Sequence, residues 1–429
     1  MSLYLRNALF VDWRTLKFTA GHMRVESGEH GGLSFIGEIP AAAELAAGDR
    51  VLDCRGKLVT RSFACGHHHA YSALALGMPP PALAPADFRQ KLEHVWWKLD
   101  RALDPELVLL SALATALECV RNGVTFVIDH HSSPNAVEGS LDAIGGAFEE
   151  VGIGVLPCLE LSDRDGAASS DKGLAETGNR LAAGKPCLVG LHASFTVGDE
   201  LLSEAVLLAR KYLSGIHLHA AEDAVDQETT FSLYGCRVVE RLKDAGVLEF
   251  PRTILAHGLH LDPEEREILK GSPVWLAENM ESNLNNRVGV FRGHGLSSRI
   301  MLGTDGMHSD MLKSAQAAYF NGSDPERATL ADIYSRLRRV HDYLQENGFA
   351  GDGENNLVVL DYPSPTPVNE ENFLGHFFYG LGARHVDSVI ARGRLIVENR
   401  KVLTVDENQV LALTRAGAAK LWRRLAEMA

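Results

Sequence analysis

Two textures of hydrophobic and polar positions alternate along the chain. Near the start, LYLRNALFVD, HMRVES, LSFIGEI and RVLDCRGKLVT are short apolar runs with partial alternation, separated by glycine and polar turns. That is how strands punctuated by turns read. The texture returns near the other end in NNLVVLDY and DSVIARGRLIVENRKVLTVD. Between them, compact apolar runs such as VTFVIDHH, VGIGVLPCLE, CLVGLHASF, GIHLHAA, RTILAHG, PVWLAEN and RIMLGTDG alternate with amphipathic stretches such as PELVLLSALATALECVRNG and DELLSEAVLLARKYL. Parallel strands need a crossover and a helix supplies it, so this repetition predicts a parallel sheet. About eight such strands fit between residues 58 and 330, the span of a (β/α)8 barrel. The closing stretch QVLALTRAGAAKLWRRLAEMA is an amphipathic helix whose Trp and Leu stripe reads as packing. The predicted fold is therefore α/β. A (β/α)8 TIM barrel over residues 58–354 carries a small discontinuous β-sandwich domain built from residues 1–57 and 355–429. No proline-rich or charged linker separates the two, so close packing is expected.

Composition narrows the class. The chain has 429 residues, 45% hydrophobic and 23% charged, enough for a large core. A net charge of −14 disfavours binding to nucleic acid or anionic lipid, which needs concentrated Lys and Arg. No apolar run reaches the roughly 18 residues of a membrane span, and the opening MSLYLRNALFVDWRTLKF lacks the apolar segment of a signal peptide. Cys54, Cys65, Cys119, Cys158, Cys187 and Cys236 are scattered without a CxxC pair, which reads as reduced thiols in the cytoplasm. A small-molecule substrate is the expected partner. A homodimer or higher homo-oligomer is the default for a soluble protein.

Chemistry concentrates where barrel strands end, the face on which barrel enzymes place their sites. The ends carry His67–His69, Asp129–His131, His192, His217 with His219, His257 and Asp305. Buried polar groups are costly without partners, so this set calls for a purpose. Successive side chains of a strand face opposite sides, so His67 and His69 share a face and His68 points away. Two imidazoles at i and i+2 can reach one metal. A lone HxH is a weak signal; the histidines and the carboxylate that follow in order strengthen it. Imidazole with carboxylate suits Zn(II) or Fe(II) better than Ca or Mg.

The segment LDCRGKLVTRSFACGHHH resembles the entry to the first barrel strand of the amidohydrolase superfamily. GIHLHAAED resembles its fifth-strand His-x-x-Glu motif, LAHGLHLDPEE its sixth-strand His, MLGTDGMHSD its eighth-strand Asp, and the C-terminal strands its closing β domain. The branch resembled is that of cytosine and guanine deaminases and chlorohydrolases. Within it, WWKLDRALD, DHHSSP, LELSDRDG and SNLNNRVG are most similar to the SsnA-type aminohydrolases. The resemblance implies one divalent metal per chain, Zn(II) or Fe(II), held by His67, His69, His219 and Asp305. It implies catalytic roles for Glu222, His257 and Asp305 and a substrate-facing His192. No lysine ends the fourth strand, so a carbamylated-lysine binuclear centre is not supported.

The implied reaction is hydrolytic deamination of a purine, pyrimidine or pterin-like heterocycle, with metal-activated water attacking the ring carbon and Glu222 moving the proton. Hydrolysis of a cyclic amide or a carbon–halogen bond is the alternative at the same site; a catalytically silent metal- or ligand-binding protein is a third reading. Purely structural roles also fit several of these residues. Glu222 suits a helix start and Asp305 a turn. Trp97, beside Trp96, is placed to stack on a planar ring, although helix packing accounts for the pair equally well. Asn283 and His308 are further candidate substrate contacts. His217 reads as a satisfied barrel histidine, and His130 and His131 either line the pocket or pack behind it. The sequence departs from the family pattern at Arg61-Ser62, where Pro-Gly is usual, and at Glu278-Asn279-Met280-Glu281-Ser282-Asn283, where the seventh strand normally carries His-Asn-Pro-x-Ser-Asn.

Overall fold

The computed structural model describes residues 1–322 and 328–428. Eight strands pair in chain order: β1 (Phe63–His68), β2 (Val124–His131), β3 (Gly154–Leu161), β4 (Leu188–Ala193), β5 (Ile216–Ala220), β6 (Ile254–His257), β7 (Trp275–Glu278) and β8 (Ile300–Leu302). Every pairing is parallel. A bridge between His68 and Asp305 brings the last strand back to the first. The amides of Thr304 and Asp305 both donate to the His67 carbonyl at 3.0 Å. This is the expected (β/α)8 barrel.

Its interior is graded from apolar to polar. Phe126, Ile128, Leu156, Cys158, Leu188, Ile254, Ala256, Trp275, Ala277 and Met301 pack inside the barrel. Helix Leu330–Glu346 plugs the amino-terminal end with Val340, Tyr343 and Leu344. The Tyr343 hydroxyl donates to the Arg252 carbonyl at 2.8 Å. Further along the same alternation come polar groups: His130 after Phe126 and Ile128, Glu160 after Leu156 and Cys158, and His192 two residues after Gly190. The period of two that builds the core therefore also aims these side chains inward at the opposite mouth. Outside, helices cover the strands. Helix Pro105–Arg121 starts on Asp104, whose carboxylate accepts from Leu107 N at 2.9 Å, with proline in its first turn. No helix among the described residues is long and apolar enough to cross a membrane.

Nine strands from both chain ends make a second sheet. Its order is Lys401–Val402, Arg394–Glu398, Val386–Ala391, Leu357–Leu360, Leu58–Arg61, Ser2–Val11, Phe18–Glu26 and Leu33–Ile36, with Arg50–Asp53 also paired to Ser2–Val11. Leu58–Arg61, which the sequence pattern places at the start of the barrel segment, pairs antiparallel with Leu357–Leu360 and so stitches the two ends together. A four-residue apolar run does not reveal which sheet will take it. The buried Arg61 meets Asp352 at 3.0 Å, and the barrel begins just beyond, at Phe63.

The barrel seam is tight at Gly66. A Cβ built there lies 2.8 Å from the Leu302 carbonyl oxygen and 2.9 Å from Met301 Cγ, so the close approach of β1 and β8 requires glycine. Gly66→Ala is expected to destabilise the chain by about 1–3 kcal/mol and to weaken metal retention, since the seam carries His67 and Asp305. Denaturant unfolding and metal content check this; an unchanged stability would show that the seam yields freely.

Candidate active site

The geometry begins with a break in the pattern of β1. Ala64 packs in the barrel interior and Cys65 in the helical layer, so unbroken alternation would turn His67 outward. The β1–β2 register shifts between Cys65 and His68. His67 and His69 both converge on the barrel axis, and His68 turns aside to Thr304 Oγ1 at 2.9 Å.

One ligand atom from each of His67, His69, His219 and Asp305 lies within 4.8 Å of the others. Asp305 Oδ1 is 2.9 Å from His69 Nε2 and 3.5 Å from His67 Nε2, and His69 Nε2 stands 3.1 Å from His219 Nε2. The outward nitrogens are held. His69 Nδ1–H donates to the His130 carbonyl at 2.6 Å and His219 Nδ1–H to the His192 carbonyl at 2.9 Å. His67 Nδ1 meets His217 Nε2 at 2.9 Å. Fixing one nitrogen of each ring leaves the other as an inward ligand, the usual support of a metal-binding histidine. His67 Nε2 is buried with no hydrogen bond. Three inward imidazole nitrogens and a carboxylate, all buried, fit a divalent cation of the Zn(II) or Fe(II) type.

Charge in the site follows from burial and contact. Burial pushes His67, His217 and His219 well below the ordinary histidine value. Burial opposes charge on His69 too, but Asp305 outweighs it and lifts that ring to about 9. Burial likewise works against the Asp305 carboxylate, and contacts from His67 and His69 hold it well below the usual range. Ser282 Oγ donates to Asp305 Oδ2.

Glu222 and His257 stand beside this cluster. His257 Nε2 is 3.5 Å from Glu222 Oε2 and 3.9 Å from Asp305 Oδ2, while its Nδ1–H donates to Asn283 Oδ1 at 2.8 Å. Burial lowers His257, so the ring is a neutral base with its lone pair aimed inward. Burial, reinforced by Asp305, raises the Glu222 carboxyl well above its ordinary value, which favours its protonated form. The turn carrying Glu222 is anchored because Asp226 accepts from Ala221 N at 2.8 Å and from Phe195 N at 3.3 Å. Ala221, His257 and Asp305 all adopt positive φ, at 50°, 75° and 52°. Such conformations are sparsely populated for side-chain-bearing residues and cluster at functional sites.

A cavity opens over the cluster. His69, His192, His219, Glu222, Ser282 and Asp305 line its floor together with Glu160 and Arg164; Tyr71, Phe88, Leu92, Trp96, Trp97 and Met307 supply an aromatic and apolar wall. Trp97 and His192 meet edge to face at 6.0 Å. Burial lowers His192 to about 4, and its Nδ1 pairs with Thr196 Oγ1 at 2.7 Å.

Two candidate contacts fall elsewhere. Asn283 is buried behind His257 and does not line the cavity. His308 Nε2 is held by Glu281 at 2.6 Å on an adjoining groove. Glu278, the other acid of the departing seventh strand, is buried on Arg336 at 2.7 Å. His131 pairs with Ser133 Oγ at 2.7 Å, away from the cavity. His130 packs against His67, His69, His217 and His219 beneath it. Sequence patterning does not single out Glu160, Arg164, Ser282 or Asn286 as cavity residues. Alternation from Leu156 through Cys158 is the available signal for Glu160; Arg164 sits on a single 3-10 turn and Ser282 and Asn286 on helix Met280–Asn286, which strand periodicity does not reach.

The chain matches the amidohydrolase family model over residues 58–333. It is 27% identical over 395 residues to a 5-methylthioadenosine/S-adenosylhomocysteine deaminase of Syntrophomonas wolfei, covering 87% of this chain and 89% of that one. It is 28% identical over 417 residues to the enzyme of the same name from Thermoanaerobacter pseudethanolicus, covering 91% and 93%. An adenosine deaminase of Xanthomonas campestris, solved with bound zinc, superposes with a TM-score of 0.81 at 19% identity over 98% of both chains.

The hydrogen bond from His67 Nδ1 to His217 Nε2 gives a direct test. His217→Phe is expected to weaken metal affinity about 10- to 100-fold while the chain stays folded. Chelator competition measures it; unchanged affinity would remove His217 from the support of the centre.

Proposed function

The chain belongs to the amidohydrolase family, and from that premise we propose that it hydrolytically deaminates a purine-like nitrogen heterocycle. The observation carrying the reading is the meeting of four potential metal ligands with the His257 imidazole and the Glu222 carboxyl under one cavity. The names of the relatives, deaminases of adenosine derivatives, support the same reaction.

His67, His69, His219 and Asp305 would hold the cation. Bound there, a divalent metal would lower the pKa of water towards roughly 7 and supply a nucleophile at neutral pH. The chain's own residues do the rest. The wall of Phe88, Trp96 and Trp97 holds a planar ring and excludes water. His257 accepts a proton at Nε2, because Asn283 fixes its other nitrogen as a donor. Glu222, steadied by Asn286 Nδ2 at 3.3 Å, gives its proton to the ring nitrogen beside the reacting carbon. Left as a carboxylate, it takes up the proton of the hydroxyl added to the ring carbon and delivers it to the amino group, which leaves as ammonia as the carbon–nitrogen bond breaks; the proton on His257 Nε2, 3.5 Å from Glu222 Oε2, restores the acid. Two carboxyls thus act oppositely in one site: Asp305 is ionised by its histidines, and burial favours the protonated form of Glu222.

Glu222→Gln is expected to retain metal and fold while turnover falls about 10²- to 10⁴-fold. Ammonia release from aminated heterocycles measures this; near wild-type turnover would remove Glu222 as the proton donor. Chelation should abolish release by the intact protein, and Zn(II) or Fe(II) should restore it.

A further inference from the structure

The structure assigns Glu160 as the residue that selects the ring. We infer that the preferred substrate carries an N–H in the same six-membered ring as the reacting carbon, as guanine, isocytosine and pterin do, whereas adenine presents only lone pairs on that ring. This rests on the deaminase reading above.

Glu160 ends β3 on the inward face and lines the cavity floor. Its side chain is 3% exposed and meets Arg164 Nη2 at 3.2 Å and His130 Nδ1 at 3.4 Å. These two neighbours and His192 favour its charged form, but both contacts are shared. Arg164 is already engaged: Nη2 donates to Asp100 Oδ2 and, at 3.1 Å, to Ser132 Oγ, and Nε pairs with Asp165 at 3.0 Å. Arg101 takes the other oxygen of Asp165 at 2.6 Å. Two guanidiniums are thus shared among the carboxylates of Asp100, Asp165 and Glu160, which leaves an excess of acceptors. His130 commits its Nε2–H to the carbonyls of Leu191 and His217, each at 3.1 Å, and its buried Nδ1 has no hydrogen bond.

A buried carboxylate on the cavity floor, whose cationic neighbour is shared with two other carboxylates, is an acceptor open to a ligand that brings N–H donors. Location then restricts the ligand. One atom each of Glu160, His130 and His219 lies within 4.8 Å of the others. Glu160 therefore reaches the reacting ring itself, not a substituent beyond it. Glu222, on the same cavity, offers a proton to a ring lone pair. A carboxylic acid and a carboxylate facing one ring match an edge that has both a lone pair and an N–H. An anionic substituent near Glu160 would be repelled.

Ammonia release by the zinc-loaded full chain should favour guanine, isocytosine and pterin over adenine and adenosine by at least about tenfold in kcat/KM. Glu160→Gln keeps the side-chain shape; it should retain metal, lower turnover of the N–H rings at least about tenfold and leave adenine-type rings within about threefold. A second arm needs no turnover: calorimetric binding of guanine and adenine to zinc-loaded Glu222→Gln, with and without Glu160→Gln. Preference for adenine-type rings, or an equal effect of Glu160→Gln on both sets, overturns the assignment. Guanine binding that depends on Glu160 without ammonia release from any ring would sustain the contact and sink the deaminase reading. Binding of neither ring would overturn both.

Discussion

The candidate site hangs on the seam where the barrel closes. The amides of Thr304 and Asp305 both point at the carbonyl of His67, so the bonds that bring β8 back to β1 also bring the Asp305 carboxylate to the imidazoles of His67 and His69. The left-handed backbone at Asp305 turns the chain there, and Gly66 lets the two strands approach. Closure removes free sheet edges. Here it also joins residues more than two hundred positions apart in the chain into one charged cluster, without a flexible loop in between.

The crowd of histidines above the seam shows how hydrogen bonding assigns roles to identical side chains. His69 and His219 give their Nδ1–H to backbone carbonyls, which turns Nε2 towards the common centre. His130 does the reverse, committing Nε2–H and leaving Nδ1 towards Glu160. His257 is set by Asn283, a side chain from the helix after β7. Burial suppresses charge on most of these rings; protons are favoured on His69 and Glu222 and disfavoured on Asp305. Acid and base functions therefore separate by environment within a few ångströms.

Reaction class and substrate choice lie in different parts of the molecule. The cluster at the strand ends lies within the span that matches the amidohydrolase family. The wall over it comes from the connection after β1, where Phe88, Leu92, Trp96 and Trp97 face the cavity, and from the end of β3 and the turn beyond, where Glu160 and Arg164 stand. Loops on a rigid scaffold vary without disturbing the fold. An adenosine-derivative deaminase and this chain can therefore share the centre and differ in the ring edge they read.

The sequence by itself determined the strand–helix rhythm of the barrel, the β texture of both chain ends, and the ordered histidines and carboxylates at the strand ends. Those are local signals, carried by a period of two or of 3.6 and by side-chain chemistry. It also paired His67 with His69 and set His68 apart. Which pair faced inward was decided by the register break after Cys65, a property of the β1–β2 pairing that no single strand contains. Likewise Leu58–Arg61 has the composition of a strand, but only Leu357–Leu360 beside it assigns it to the end sheet. Asn283 and His308 are polar residues near strand ends in the sequence; the tertiary structure gave one to His257 and the other to Glu281. Glu160 is an ordinary acid between apolar neighbours in the sequence, and gains its meaning only once Arg164, Asp100 and Asp165 are placed around it. Periodicity specifies the face of a strand, but the partners of a buried polar group are set by elements distant in the chain, and those partners decide whether it is structural or free to act.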